Sequence, residues 1–256
     1  MEEWLLWAGA AAFCVFALST LLLKKGKIPS YISFAGCLLV IGALLLRWYT
    51  LGRPPWATLY ETAALLALAT GVASAYCYRL KETPALYLPL AAVAIVLLVF
   101  SAMSWEANPS LSPALESGWL LIHVPVVILA YAALSVASIA SGALIALKAL
   151  GRGDDRTIKR LDSIAYNLII AGLALLVLGI VMGAMWAKAA WGAYWSWDPK
   201  ETWSLITALV YAAYPLARRA GMKPEDSAFI ALLGLLAILF TYLGVSYLIP
   251  GLHSYA

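Results

Sequence analysis

Pro84-Ala-Leu-Tyr-Leu-Pro-Leu-Ala-Ala-Val-Ala-Ile-Val-Leu-Leu-Val-Phe-Ser-Ala-Met103 runs its whole length without a charged side chain. A helix needs about 20 such residues to cross a hydrocarbon core roughly 30 Å thick. Runs of this kind recur on both sides of it. Lys81-Glu-Thr-Pro84 separates it from an earlier apolar run, and Gly151-Arg-Gly-Asp-Asp155 closes a later one. With 64% hydrophobic and only 12% charged residues, the chain is too apolar for a soluble domain of 256 residues. No long alternating stretch of outer-membrane strand type appears, so the spans are helices. The sequence predicts an all-α integral membrane protein, a bundle of about eight transmembrane helices with an external tryptophan-rich loop. The spans are placed at 4–23, 28–48, 58–79, 84–103, 119–148, 161–186, 202–219 and 227–249. Residues 1–256 read as a single polytopic membrane domain, with a helix pair at 1–50, a core at 51–256 and the tryptophan-rich loop at 186–203. Met-Glu-Glu-Trp4 lacks a basic leader, so the first run reads as a retained span.

The basic residues set the orientation, because Lys and Arg stay on the cytoplasmic side. With the first residue outside, only Arg47, Arg53, Lys188 and Lys200 of the 17 Lys and Arg face out. The rest, including Lys24, Lys25, Arg152 and Arg218, fall on inner loops. Both chain ends are therefore expected outside. This bias also accounts for the net charge of +4 without a nucleic-acid partner. Cys14, Cys37 and Cys77 all lie in apolar runs with no CxxC pair, which points to buried structural thiols.

The same orientation places Trp191-Gly-Ala-Tyr-Trp-Ser-Trp-Asp-Pro-Lys-Glu-Thr-Trp203 outside. Four of the 11 tryptophans fall in this stretch. An aromatic belt at headgroup depth explains Trp7, Trp48, Trp56, Trp105 and Trp119. It explains Trp191, Trp195 and Trp197 less well, because they share one loop with Gly192 and Tyr194. Their indole faces suit a flat apolar ligand. The only two histidines, His123 and His253, fall on the same outer face. Imidazole ligates iron, copper or zinc, but no further donors complete a tetrahedral zinc site. Two axial imidazoles on a haem need no further protein ligand.

Asp198, Pro199 and Glu201 stand at the N-cap, N1 and N3 positions of the seventh span, a capping-box start. A capped start also points N–H groups at a nearby carboxylate such as a haem propionate. Lys200, Lys188, Arg53 and Arg47 are the outer cations available to such a carboxylate, although each alone reads as a solvated interface charge. Thr58-Leu-Tyr-Glu61 forms a second capping box, with Glu61 as the cap. No catalytic triad, phosphate loop or HExxH motif appears.

The intact WGAYWSWDPKETW stretch resembles the tryptophan-rich WWD signature of haem-handling proteins in cytochrome c biogenesis. Leu161-Asp-Ser-Ile-Ala-Tyr166, Gly183-Ala-Met-Trp-Ala187, Tyr242-Leu-Gly-Val245, Gly251-Leu-His-Ser-Tyr255, Ser112-Pro-Ala-Leu-Glu-Ser117 and Leu59-Tyr-Glu61 fit the same family. The resemblance covers roughly residues 50–256 and is nearest the CcsA (ResC) type, with CcmC and CcmF as relatives. It implies a haem b handled transiently on the outer face of the plasma membrane. Trp191, Tyr194, Trp195, Trp197, Asp198, Arg53 and Lys200 would contact it, with His123 and His253 as axial ligands and no catalytic residue. It further implies an apocytochrome c with a CxxCH motif, a CcsB (ResB) membrane partner and a thioredoxin-like thiol reductant.

The expected function is to present haem for covalent attachment, as a haem-handling subunit of a cytochrome c synthase. The alternatives are delivery to a haem chaperone, as in CcmC, or a b-type electron-transfer subunit. One departure limits the resemblance. CcsA relatives carry a histidine near the inner end of span seven, where this chain reads Tyr214-Pro-Leu-Ala-Arg218. That puts haem export through this chain in doubt and leaves the outer site intact.

Overall fold

The structure is a computed structural model that describes residues 2–23, 26–106, 109, 111 and 113–252. Among the described residues it is all-helical, with no strand. The main helices are α1 (Glu2–Leu22), α2 (Ile28–Leu51), α3 (Leu59–Arg79), α4 (Pro84–Met103), α5 (Leu120–Ala149), α6 (Asp155–Trp191), α7 (Pro199–Arg219) and α8 (Pro224–Leu239). A 3-10 turn at Pro113–Glu116 precedes α5. A π-helical turn at Phe240–Gly244 and a short α9 (Val245–Leu248) continue α8. Each of the eight expected segments overlaps a helix. Among the described residues, six helices are long and apolar enough to cross a membrane: α1, α2, α4, α5, α6 and the α8–α9 run. The protein is a multi-pass membrane protein. Helices α3 and α7 are less apolar, since α7 carries Lys200, Glu201, Arg218 and Arg219.

Local sequence sets the helix ends. Thr58 and Glu61 close the expected capping box at α3, and Thr83 caps α4 ahead of Pro84. Asp154 accepts the Thr157 N–H to cap α6. Helix α6 runs past the expected end at residue 186 and stops at Trp191, where Gly192 turns left-handed at φ 82°. Only glycine takes that conformation without steric cost. The loop between α6 and α7 is therefore shorter than the sequence suggests.

The chain divides into two compact units, residues 1–110 and 111–256. In the first, α1 packs on α2 and α4, and α3 packs on α2 and α4. Phe13 and Phe16 of α1 are fully buried. Phe13 reaches into a notch at Gly71, where an added Cβ would lie 2.4 Å from its ring.

The same unit holds a buried charge cluster. Arg47, only 3% exposed, bonds Glu2 at 3.3 Å, Glu61 at 3.2 Å and the Glu106 carbonyl at 2.7 Å. It also faces the rings of Tyr60 and Trp105. This corrects the sequence reading of Arg47 as a solvated interface charge. A lone buried guanidinium is too costly to keep, and two carboxylates supply its compensation. Cys37 and Cys77 are buried as expected. Cys14 is exposed on the outward face of α1, so the expectation of burial fails there.

In the second unit α5 packs on α6 and α8, and α7 packs on α6 and α8. Gly172, Gly179 and Gly183 of α6 meet Leu134, Val127 and His123 of α5, with hypothetical Cβ contacts of 2.7, 2.7 and 2.9 Å. As the residue numbers rise on α6 they fall on α5, so the two helices are antiparallel. The small residues let them approach closely, as membrane helices do at their contacts.

Candidate functional site

His123 sits in the first turn of α5, against the late turns of α6. Its Nδ1 lies 2.9 Å from the Gly179 carbonyl oxygen. A carbonyl only accepts, so Nδ1 carries the proton and the lone pair lies on Nε2. Gly183 leaves the space that the ring fills. One turn on, the Trp186 indole stacks on the imidazole at 6.3 Å between centroids and 12° between planes. Trp186 is itself fixed: it is 2% exposed and its Nε1–H donates to the Ala114 carbonyl at 2.9 Å. Trp191 then meets Trp186 edge-on at 4.7 Å. Histidine and tryptophans thus form one continuous aromatic row across α5 and α6.

The loop between α6 and α7 carries the second aromatic group. Trp195 and Trp197 meet edge to face at 5.8 Å, and Tyr194 and Trp197 are exposed. Trp197, 69% exposed, has a left-handed φ of 58°. That conformation costs a non-glycine residue on the order of 1–2 kcal/mol. Hydrogen bonds on either side hold it. Glu201 Oε2 accepts the Ser196 N–H at 2.8 Å and the Asp198 N–H at 3.2 Å, and the Thr202 hydroxyl donates to the Trp197 carbonyl at 3.3 Å. Lys188 donates to the Gly192 carbonyl at 2.7 Å and lies over the Tyr194 ring.

Asp198 caps α7 as expected, completing a capping box with Glu201. It is 6% exposed. Its Oδ1 accepts the Lys200 N–H at 2.9 Å. Its Oδ2 accepts the Leu252 N–H at 2.6 Å, a contact across the fold that no local pattern announces. The Lys200 ammonium donates to the Ser246 hydroxyl at 3.2 Å. Burial pulls its pKa down to about 8, against the nearby Asp198 charge, which raises it.

His123, Trp191, Tyr194, Trp195, Trp197, Asp198 and Lys200 all belong to the second unit. Arg53 belongs to the first, where its guanidinium pairs with both oxygens of Glu61 at 2.9 Å. His253 lies outside the described residues, which reach Leu252 just before it; Lys24 and Lys25 lie outside them too. Trp186, Gly179 and Gly183 were not singled out as site residues. Their signal was a stripe at spacings of four and three along α6, one helix face opposite His123. At the end of α7, Arg218 pairs with Asp162, Nη2 to Oδ2 at 2.9 Å, and bonds the Tyr214 hydroxyl at 3.3 Å.

Residues 56–253 match the family described as Cytochrome C assembly protein. The chain is 39% identical over 246 residues to cytochrome c biogenesis protein CcsA of Chlamydomonas reinhardtii, covering 91% of this chain and 69% of that protein. It is 35% identical over 252 residues to CcsA of Synechococcus sp. (strain CC9902), covering 85% and 83%. It is 36% identical over 266 residues to CcsA of Parasynechococcus marenigrum (strain WH8102), covering 91% and 87%. Among solved structures, cytochrome c heme lyase CcmF superposes with a TM-score of 0.62 at 20% identity. That match covers 94% of this chain and 46% of that one, and it shows likeness of fold.

Proposed function

Because this chain belongs to the Cytochrome C assembly protein family, and so functions in cytochrome c biogenesis, we propose that it holds haem b on the outer face of the plasma membrane for covalent attachment to apocytochrome c. The haem is substrate here. Trp191, Tyr194, Trp195 and Trp197 offer it aromatic faces, and His123 and His253 offer axial nitrogens. Lys200 is the cation for a propionate within the unit that carries the tryptophan loop. Arg53 is left to Glu61. The reading keeps eight spans, counting α3 and α7, with both chain ends outside.

The observation that carries the reading is the pose of His123. Its Nδ1–H is committed to the Gly179 carbonyl, which fixes the tautomer whose Nε2 ligates a metal. The ring lies in line with Trp186 and Trp191. In the attachment step each client thiol adds across a vinyl double bond, sulfur to one carbon and its proton to the other. No oxidant is needed. The chain's contribution is positioning, which replaces a bimolecular search. A CcsB-type membrane partner and a thioredoxin-like reductant complete the proposed system.

Purified protein should carry substoichiometric b-type haem that falls in His123→Ala and in His253→Ala. Full haem in the double variant would sink the ligand assignment. Covalent haem on a co-expressed CxxCH reporter should depend on this chain, and independence would remove the attachment role.

A further inference from the structure

A capping box asks one bond of Glu201, to the N–H of the N-cap residue Asp198, and that bond is present at 3.2 Å. The same Oε2 also accepts the Ser196 N–H at 2.8 Å. The Ser196 hydroxyl reaches both carboxylate oxygens, Oε1 at 3.4 Å and Oε2 at 3.3 Å. These Ser196 bonds lie outside the capping box. They step over Trp197, so that one oxygen gathers the N–H groups on either side of it. Backbone N–H groups converging in this way form a nest of the kind that binds small anions. Here the anion is the chain's own.

The residue at the centre of the nest is the strained one. Trp197 holds a φ of 58°, a conformation that persists in a non-glycine residue only when its surroundings impose it. Glu201 imposes it from beneath, being 9% exposed where Trp197 is 69% exposed. The Thr202 hydroxyl adds a bond to the Trp197 carbonyl at 3.3 Å. A loose loop would add the cost of ordering this indole to the binding of any ligand. Charge-assisted bonds from a buried carboxylate meet that cost in advance.

We infer that Glu201 is a positioning residue, whose carboxylate fills the nest between Ser196 and Asp198 and holds the Trp197 indole outward before a flat ligand arrives. The inference rests on the proposal that Trp197 offers haem an aromatic face, and it gives Glu201 no contact with haem itself. Two substitutions separate the acceptor from the charge. Glu201→Gln keeps an oxygen for the two N–H groups, and Glu201→Ala keeps none.

The test titrates haemin into the purified chain and follows hydrogen exchange resolved to the Ser196 and Asp198 amides. In wild type both amides should exchange slowly although they lie in or beside a loop, and fast exchange at both overturns the nest without any variant. Glu201→Ala should accelerate their exchange and weaken haemin binding about three- to tenfold, the range expected for one side chain that must be ordered on binding. Glu201→Gln should keep most of both. The double variant with Trp197→Ala should bind no more weakly than Trp197→Ala alone, because Glu201 acts through that indole. Additive losses would show that it acts elsewhere, and would overturn the inference. If Trp197→Ala weakens binding and Glu201→Ala does not, the positioning role is wrong and the haem reading stands. If Trp197→Ala leaves binding unchanged, the aromatic contact fails. The nest is then judged on exchange alone, and unchanged protection in Glu201→Ala overturns it.

Discussion

The imidazole of His123 is bonded to the backbone carbonyl of Gly179 at 2.9 Å, and the bond exists because Gly183, one turn further along α6, has no side chain. An alanine at 183 would place its Cβ 2.9 Å from His123 Cε1. In an unobstructed helix, glycine to alanine stabilises by roughly 0.5–1 kcal/mol. Here the sign should reverse, because displacing a packed ring costs about 1–3 kcal/mol. Gly183→Ala should therefore lower the unfolding midpoint in detergent and weaken haemin binding. A gain in stability with unchanged binding would refute the slot.

Trp186 and Trp197 sit at opposite extremes of burial and should separate packing from ligand capture. Trp186 supports His123 from inside the fold, so Trp186→Ala should cost about 3–5 kcal/mol. Trp197 is held outward at its left-handed backbone, so Trp197→Ala should change stability by less than about 0.5 kcal/mol, as surface substitutions do. Haem occupancy should nonetheless fall. Thermal unfolding together with pyridine haemochrome assay of the same samples distinguishes the two cases.

The helices were legible because each depends on a local property. Apolar length marks the spans, and Thr58 and Asp198 announce their caps. The extension of α6 to Trp191 was missed, although Gly192 sat there as a stop signal. What could not be read was pairing across the chain. Arg47 looks like any interface cation until Glu2 and Glu61 arrive from other helices. Asp198 reads as a cap because its Lys200 arm is two residues away. Its Leu252 arm closes only when α8 and the π-helical turn bring that segment back. The His123 to Gly179 bond is of the same kind, set by the antiparallel packing of α5 on α6.

Glu61 joins three jobs: it caps α3, pairs with Arg47 and pairs with Arg53. Removing one partner of a buried ion pair leaves the other charge uncompensated, at about 3–5 kcal/mol. Glu61→Ala should therefore be among the most destabilising single changes in the first unit. Glu225→Ala, which breaks the more exposed pair with Lys148, should cost at most about 1 kcal/mol. Denaturation of the two variants side by side checks the ordering, and equal losses would contradict it.

Lys200, in the first turn of α7 and ahead of the proposed span 202–219, gives the fold a pH dependence with a defined sign. Its pKa is lowered to about 8 by burial, below the ordinary lysine value of roughly 10.4. Below pH 8 both folded and unfolded chains hold the proton, and the folded state bears the full cost of a desolvated ammonium. As pH rises from about 8 toward the ordinary lysine value, the unfolded chain retains a proton that the folded chain has released. Stability therefore climbs across that window. Lys200→Met should flatten the climb, because methionine holds no proton in either state. Unfolding midpoints of both proteins measured between pH 7 and pH 10 test this. A wild-type curve that falls relative to Lys200→Met across the window would show that the ammonium is stabilised, not penalised, where it meets Ser246.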